Sequence, residues 1–461
     1  MSLFNRYYRL FFIIILLQAC AAGKSGEDKL IGEAGKVTEM VKCQADTSIT
    51  FALYLPSDYD KKKQYPVIFA FDAHGNGSRA VELFRADAEQ YGYIVIGSNN
   101  SKNGLPADAS MRIWEVMSGE AFSNLSIDRN RVYTAGFSGG SRVASSIAIY
   151  KGGIAGVIGC SAGFPALNQP IQYKFDYIGF VGNEDMNYLE MLTLDDALEQ
   201  AGYRHHLVIF NGTHDWPPVN NLREAFIWLE VNAMKDKKIP VDTVWVNATL
   251  KHWTSEAEKH LSTGSVVEAW KIYDKTISFL EGLTPLDQQK NEWNKLRNSD
   301  KIRQSENRVR EVQQTELSLQ TRYVRALMEK DQNWWKQEVQ NLNTLSLESP
   351  EADSRAMYKR VLGYLSLACY SYSNGYLVSG DLNNAGRFIT LYAIIDPANP
   401  EHAYMMAVLN ARQDHADAAF NALEQAIGLG FNDLKRIGND TAFNGLREDP
   451  RYKENLDKIQ K

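Results

Sequence analysis

Residues 132–145 read Val-Tyr-Thr-Ala-Gly-Phe-Ser-Gly-Gly-Ser-Arg-Val-Ala-Ser, a β-branched and aromatic run that breaks at Gly136-Phe137-Ser138-Gly139-Gly140 and continues in small, helix-compatible residues. No other stretch constrains the chain as much. It predicts a buried strand, a sharp turn with a serine at its tip, and a helix that crosses back close to the strand. Gly136 and Gly140 stand two positions either side of Ser138, where a side chain would collide as strand and helix cross. A tip residue of this kind holds a strained backbone that costs about 1–3 kcal/mol and is kept where the exposed hydroxyl has a use.

A serine hydroxyl is a poor nucleophile until an imidazole removes its proton, and a carboxylate must hold that imidazole in the right tautomer. Both partners follow in the chain, each after a short apolar run of buried-strand length. Residues 176–181, Asp-Tyr-Ile-Gly-Phe-Val, lead into Gly182-Asn183-Glu184-Asp185. Residues 206–210, His-Leu-Val-Ile-Phe, lead into Asn211-Gly212-Thr213-His214-Asp215-Trp216-Pro217. The candidate nucleophile, acid and base are therefore Ser138, Asp185 and His214, with Glu184 and Asp215 as competitors for the acid. His205 and His206 at a strand start, and His252, His260, His402 and His415 in the polar C-terminal half, have simpler structural roles. Gly139, first in the helix, presents its N–H to a developing oxyanion. A second donor is expected from the loop after the strand at 65–71, where Asp72-Ala73-His74-Gly75-Asn76-Gly77 offers the amides of Gly75 or Asn76.

On these residues the segment 45–234 resembles the α/β-hydrolase superfamily, and within it the feruloyl-esterase, polyhydroxybutyrate-depolymerase-like and dienelactone-hydrolase-like groups. Leu55-Pro56-Ser57-Asp58-Tyr59, Ile127-Asp128-Arg129-Asn130-Arg131-Val132-Tyr133 and His214-Asp215-Trp216-Pro217 carry the finer likeness. The resemblance implies a mostly parallel sheet with helices on both faces and acyl transfer through an acyl-serine, usually from an ester, without a cofactor. A serine peptidase would use the same three residues. An inactive fold would leave a scaffold in which the helical half does the work. Only a dozen or so residues, 162–173, separate the strand after the elbow helix from the next, so a large lid is not expected. An open cleft follows, with Trp114, Phe137, Phe164 and Trp216 as candidates to stack on an aromatic or sugar ring.

The N-terminus points to the cell envelope. Arg6 and Arg9 precede eight apolar residues at 10–17, and Leu17-Gln18-Ala19-Cys20 resembles the lipobox of bacterial lipoproteins. Residues 1–19 are then a signal peptide, Cys20 is lipidated, and 20–44 form a tether and lead-in. Eight apolar residues are too few to span a bilayer. A lipid anchor to a membrane, periplasmic or surface-facing, is the expected location. Cys43, Cys160 and Cys369 allow at most one disulfide, and none has the spacing of a metal site, so no metal is expected. A net charge of −6 gives no footprint for nucleic acid.

Beyond about residue 235 the pattern becomes helical. Gly380, Ala385, Ile389, Tyr392 and Pro397 recur after 34 residues as Asp414, Ala419, Leu423, Ala426 and Phe431, the period of a tetratricopeptide repeat. Units are expected at 366–399 and 400–433 and, more weakly, at 250–283, offering a concave surface for a protein partner. The stretch 235–250 is expected to be a linker before a helical domain at 251–461. Residues 285–345 suggest a surface helix whose seam, Ile302, Val309, Val312 and Leu319, is broken by Ser305 and Glu316.

Overall fold

Strand side chains alternate between two apolar faces, and this sets the layers. The computed structural model describes residues 31–167 and 170–459; the expectations for 1–19, Cys20 and the start of the tether lie outside the described residues. The first elements are β1 (Val37–Lys42), β2 (Thr50–Tyr54), β3 (Tyr65–Phe71), α1 (Gly77–Tyr91), β4 (Ile94–Ser98), α2 (Ala107–Asn124), β5 (Ile127–Phe137), α3 (Gly139–Lys151), β6 (Gly156–Cys160), β7 (Asp176–Gly182), α4 (Tyr188–Gln200), β8 (His205–Phe210) and α5 (Val219–Lys235). They form one sheet in the order β1-β2-β4-β3-β5-β6-β7-β8, with β2 antiparallel to both neighbours and the rest parallel. This is the α/β-hydrolase fold. Part of the expected lead-in is thus an edge strand, β1.

Ile68 and Ala70 of β3 pack with Phe84 of α1 and Phe226 of α5. Val67, Phe69 and Phe71 of the same strand pack on the other face, with Met117 of α2 and Ile147 of α3. The parallel strands end at one edge, so the segments after β3, β5, β7 and β8 converge there.

The rest of the chain is α6 (Thr243–Ser262), α7 (Val266–Leu280), α8 (Asp287–Arg297), α9 (Asp300–Glu329), α10 (Gln332–Glu348), α11 (Ala352–Ser379), α12 (Leu382–Ile395), α13 (Pro400–Arg412), α14 (Ala416–Gly428), α15 (Leu434–Asn439) and α16 (Pro450–Ile459). The expected linker is mostly helix. Asp242 caps α6 by accepting from the Trp245 N–H, which turns the Val-Trp-Val run into a helical first turn. Val246, Trp253 and Phe279 then join the apolar cluster of Trp228 and Val208, so α6 and α7 share a core with the sheet.

The turns at Gly380 and Asp414 share one geometry. Gly380 and Asp414 sit at φ +81 and +59. In each turn the residue and its successor donate back to the preceding helix: Gly380 to Leu377 and Asp381 to Tyr376, Asp414 to Ala411 and His415 to Asn410. Gly264 and Ser265 repeat this between α6 and α7. The packing positions Ala385, Ile389, Ala419, Leu423 and Ala426 are buried. In α9, Ile302 and Val312 are buried while Val309 is 44% exposed, so the helix packs on its neighbours without a continuous seam. Cys43, Cys160 and Cys369 are separate buried thiols, and no disulfide joins them. Among the described residues no helix is long and apolar enough to cross a membrane.

Candidate active site

Ser138 caps α3 at φ +54 and ψ −120. Its N–H donates to the Cys160 carbonyl, and its own carbonyl accepts from the Ser141 and Arg142 N–H groups, so hydrogen bonds on both sides hold the strained turn. The crossing is close: a Cβ on Gly136 would lie 2.1 Å from the Gly140 oxygen, and one on Gly140 would lie 1.9 Å from the Phe71 oxygen. Only glycine fits at either position.

The strand ends bring the three expected residues together. His214 Nε2 lies 3.0 Å from Ser138 Oγ, and His214 Nδ1 lies 2.9 Å from Asp185 Oδ1. Asp185 is completely buried, and its Oδ1 also accepts from the Asn187 N–H at 2.8 Å. Both competing acids are engaged elsewhere: Glu184 with Lys359 and Asp215 with Arg79, each at 2.7 Å. The His214 side chain keeps 20% exposure, so the pair opens to solvent on the serine side.

Asp72, also completely buried, ties two loops to this centre. It accepts from the His74 N–H and from the Trp216 indole N–H, both at 2.8 Å. Burial pushes the Asp72 carboxyl up, but these donors and the His74 ring prevail and hold it below the ordinary carboxylate range. The same contact raises the His74 imidazole.

Of the three expected oxyanion donors, the structure corrects Gly75, whose amide is already engaged. Gly139 opens α3, where the first N–H groups have no acceptor within the helix. The Gly75 N–H, however, donates to the Asp72 carbonyl at 3.1 Å, and the Asn76 side chain caps α1 by accepting from the Arg79 N–H. Gly75 and Gly77 lie over the end of β4, with Cβ positions that would meet Asn99 and Gly97 oxygens at 3.3 and 2.2 Å. The backbone that abuts the elbow is instead Phe71 and Asp72, against Gly140.

Three of the four expected ring-stacking residues, Trp114, Phe137 and Trp216, are buried and are corrected, whereas Phe164 is half-buried. Trp114 is buried edge-on to Phe69 at 4.9 Å, inside the core. Trp216 is 5% exposed, held by Asp72 and Phe84. Phe137 packs on the His214 ring at 4.9 Å and on Trp216 at 5.8 Å, so Phe137 backs the imidazole and Trp216 backs Phe137. Phe164 packs against Phe175 and Tyr177. One residue at the mouth carried no sequence signal beyond an Asn-Gly turn pair. Asn103 donates its N–H to the Ala73 carbonyl at 2.8 Å, and its side-chain oxygen would lie 1.8 Å from a Cβ on Gly139.

No protein-family model and no curated protein matches the chain. Among solved structures it is similar to an S-formylglutathione hydrolase from Staphylococcus aureus, at 15% identity and a TM-score of 0.35, over 44% of this chain and 99% of that one. It is also similar to a feruloyl esterase module from Clostridium thermocellum, at 16% identity and a TM-score of 0.36, over 43% and 90%. A dipeptidyl peptidase 4 from Porphyromonas gingivalis matches at 15% identity and a TM-score of 0.31, over 39% and 32%. With likenesses this remote on both the ester and the peptide side, neither substrate is carried over to this chain.

Proposed function

We propose that this protein is a serine hydrolase that cleaves carboxylic esters through an acyl-Ser138 intermediate. One observation carries the proposal: a serine in a strained elbow conformation, 3.0 Å from an imidazole nitrogen whose other nitrogen is 2.9 Å from a buried carboxylate. In the first half-reaction Ser138 Oγ attacks the ester carbonyl carbon while His214 Nε2 takes the hydroxyl proton. The tetrahedral oxyanion accepts from the Gly139 N–H at the positive end of α3, with a second donor drawn from the backbone at 71–73. Collapse expels the alcohol, which takes the proton from His214. Water then attacks the acyl carbon while His214 takes its proton, and collapse breaks the acyl–Ser138 bond, the serine oxygen recovering the proton from His214 as the acid leaves. Asp185 keeps Nδ1 protonated and stabilises the imidazolium throughout.

Lipid anchoring through Cys20 in the cell envelope belongs to the same proposal. It places hydrolysis at a membrane surface, and the helical half, with its repeated hairpins, is where a protein partner would bind.

The test is labelling with a fluorophosphonate probe, followed by mass spectrometry of the adduct, in the wild type, Ser138→Ala and His214→Ala. An adduct on Ser138 that both substitutions abolish is expected, and a folded protein that does not label would overturn the proposal. A panel of nitrophenyl esters beside aminoacyl amides then separates esterase from peptidase. For the anchor, incorporation of a fatty-acid analogue into the wild type but not into Cys20→Ser is expected.

A further inference from the structure

The loop that carries the acid is gripped from outside the α/β part. Arg360 of α11 donates from Nη1 to the Asn183 carbonyl at 2.6 Å. Its Nε reaches both carboxylate oxygens of Glu316 on α9, at 3.1 and 2.9 Å, and Nη2 bonds to the same carboxylate. Glu316 is 0% and Arg360 3% exposed. The Arg360 guanidinium also lies 4.3 Å from the Tyr188 ring centre. Next to it Lys359 pairs with Glu184, and a Cβ on Gly363 would meet the Met186 Cβ at 3.3 Å. One face of α11 therefore touches residues 183, 184, 186 and 188, on both sides of Asp185.

Asn183 passes this grip on to the base. Its side-chain oxygen accepts from the Gly212 N–H at 3.0 Å, and its side-chain nitrogen donates to Asn211 at 3.2 Å. Its backbone N–H donates to Phe210, and the Glu184 N–H donates to the Gly212 carbonyl. The residue whose carbonyl Arg360 holds is thus the residue that brackets the loop leading to His214. Such a buried ion pair is weak evidence for stability, since well-packed apolar groups of similar volume often do as well or better. What apolar groups cannot do is donate a hydrogen bond to the Asn183 carbonyl.

We infer that Arg360, presented by Glu316, is a positioning residue for Asp185 and His214, so that α9 and α11 complete the hydrolase site from the helical half. This rests on the serine-hydrolase proposal above. Misplacement of a reacting group by about 1 Å costs on the order of 100-fold in rate, so a small relaxation of the 183–188 loop is enough to be read.

The experiment uses the full chain, with a Glu316→Leu/Arg360→Met double variant that leaves no lone buried charge, and with Arg360→Lys. Three quantities are compared with the wild type: the melting temperature, the rate of Ser138 labelling by a fluorophosphonate, and the His214 Nδ1–H resonance in protein carrying ¹⁵N-histidine. The double variant is expected to melt close to the wild type and to label on the order of 10–100-fold more slowly, with that resonance shifted or broadened. On a nitrophenyl ester its kcat falls while KM holds, because Arg360 does not touch substrate. Arg360→Lys, which keeps the charge but not the fork, is expected to recover part of the rate.

Wild-type labelling and an unchanged resonance in the double variant would overturn the inference. So would a loss of labelling that only follows the unfolded fraction while the folded fraction keeps its resonance. A wild type that does not label at Ser138 sinks the serine-hydrolase proposal instead, and the resonance comparison still decides the coupling.

Discussion

Ser138 in the α/β part and Asp414 in the helical part hold nearly the same unusual backbone angle, φ +54 and +59. Their surroundings differ. Ser138 is bonded on both sides, flanked by Gly136 and Gly140, where an added Cβ would lie 2.1 and 1.9 Å from backbone oxygens, and aimed at His214. Asp414 is exposed and takes the place that Gly380 and Gly264 hold in the sister turns. Strain therefore marks a site only where the neighbourhood enforces it and the strained side chain has a partner. At Asp414 the turn between α13 and α14 demands the angle and the residue merely tolerates it.

The largest effect separating the two regions is expected in chemistry. Asp185→Asn should lower kcat by on the order of 10⁴, because the imidazole is left in the wrong tautomer, with the melting temperature nearly kept. Glu184→Gln, at a carboxylate committed to the helical half, should cost far less. Equal losses from the two in ester kinetics would refute the assignment of the acid.

Next comes a contrast between crowded and open glycines. Gly140→Ala should destabilise by about 3 kcal/mol in urea unfolding, since the new Cβ must displace backbone. Gly380→Ala, with nothing within 4 Å of the added atom, should cost only the left-handed penalty of about 1 kcal/mol. Similar midpoints for the two variants would show that the elbow is less rigid than its contacts imply.

The seam between the regions should appear in the pH dependence. His206 of β8 packs against Trp228 and against Phe279 of α7, and burial pushes its imidazole from the usual 6.5 down to about 3. The unfolded chain takes up the proton first, so stability is retained above pH 6.5 and lost as pH falls toward 3. The slope is at most about 1.4 kcal/mol per pH unit. His206→Phe should flatten it, as denaturant midpoints between pH 4 and 7 would reveal. An unaltered slope would assign the acid sensitivity elsewhere.

Smallest of all, Asp414→Gly should stabilise the protein by about 0.5 kcal/mol, as strain relief slightly outweighs the added freedom of the unfolded chain. Loss of stability in calorimetry would mean that Asp414 makes a contact worth more than its strain.

Legibility in the sequence followed locality. The elbow, the strand-end loops of Asp185 and His214, and the 34-residue turn positions are short patterns whose geometry is imposed by neighbouring residues. The Gly75 amide is not a free donor because the turn after β3, held by the buried Asp72 side chain, spends it on the Asp72 carbonyl. The aromatic candidates looked free because a sequence does not show which ring faces are covered. Glu316 read as a break in an apolar seam, yet it is among the most buried acids in the protein. Its partner, Arg360, lies 44 residues away on another helix, and no periodicity links them.

The sequence alone determined the fold class, the serine turn and the strand-end loops that carry Asp185 and His214, because each depends on which side chains can stand within a few positions of one another. Tertiary structure alone decided which of three carboxylates meets His214, which backbone abuts the elbow, and that the helical half grips the acid loop. Those outcomes depend on where distant segments come to rest, and a buried polar group declares its partner only once both have been removed from water.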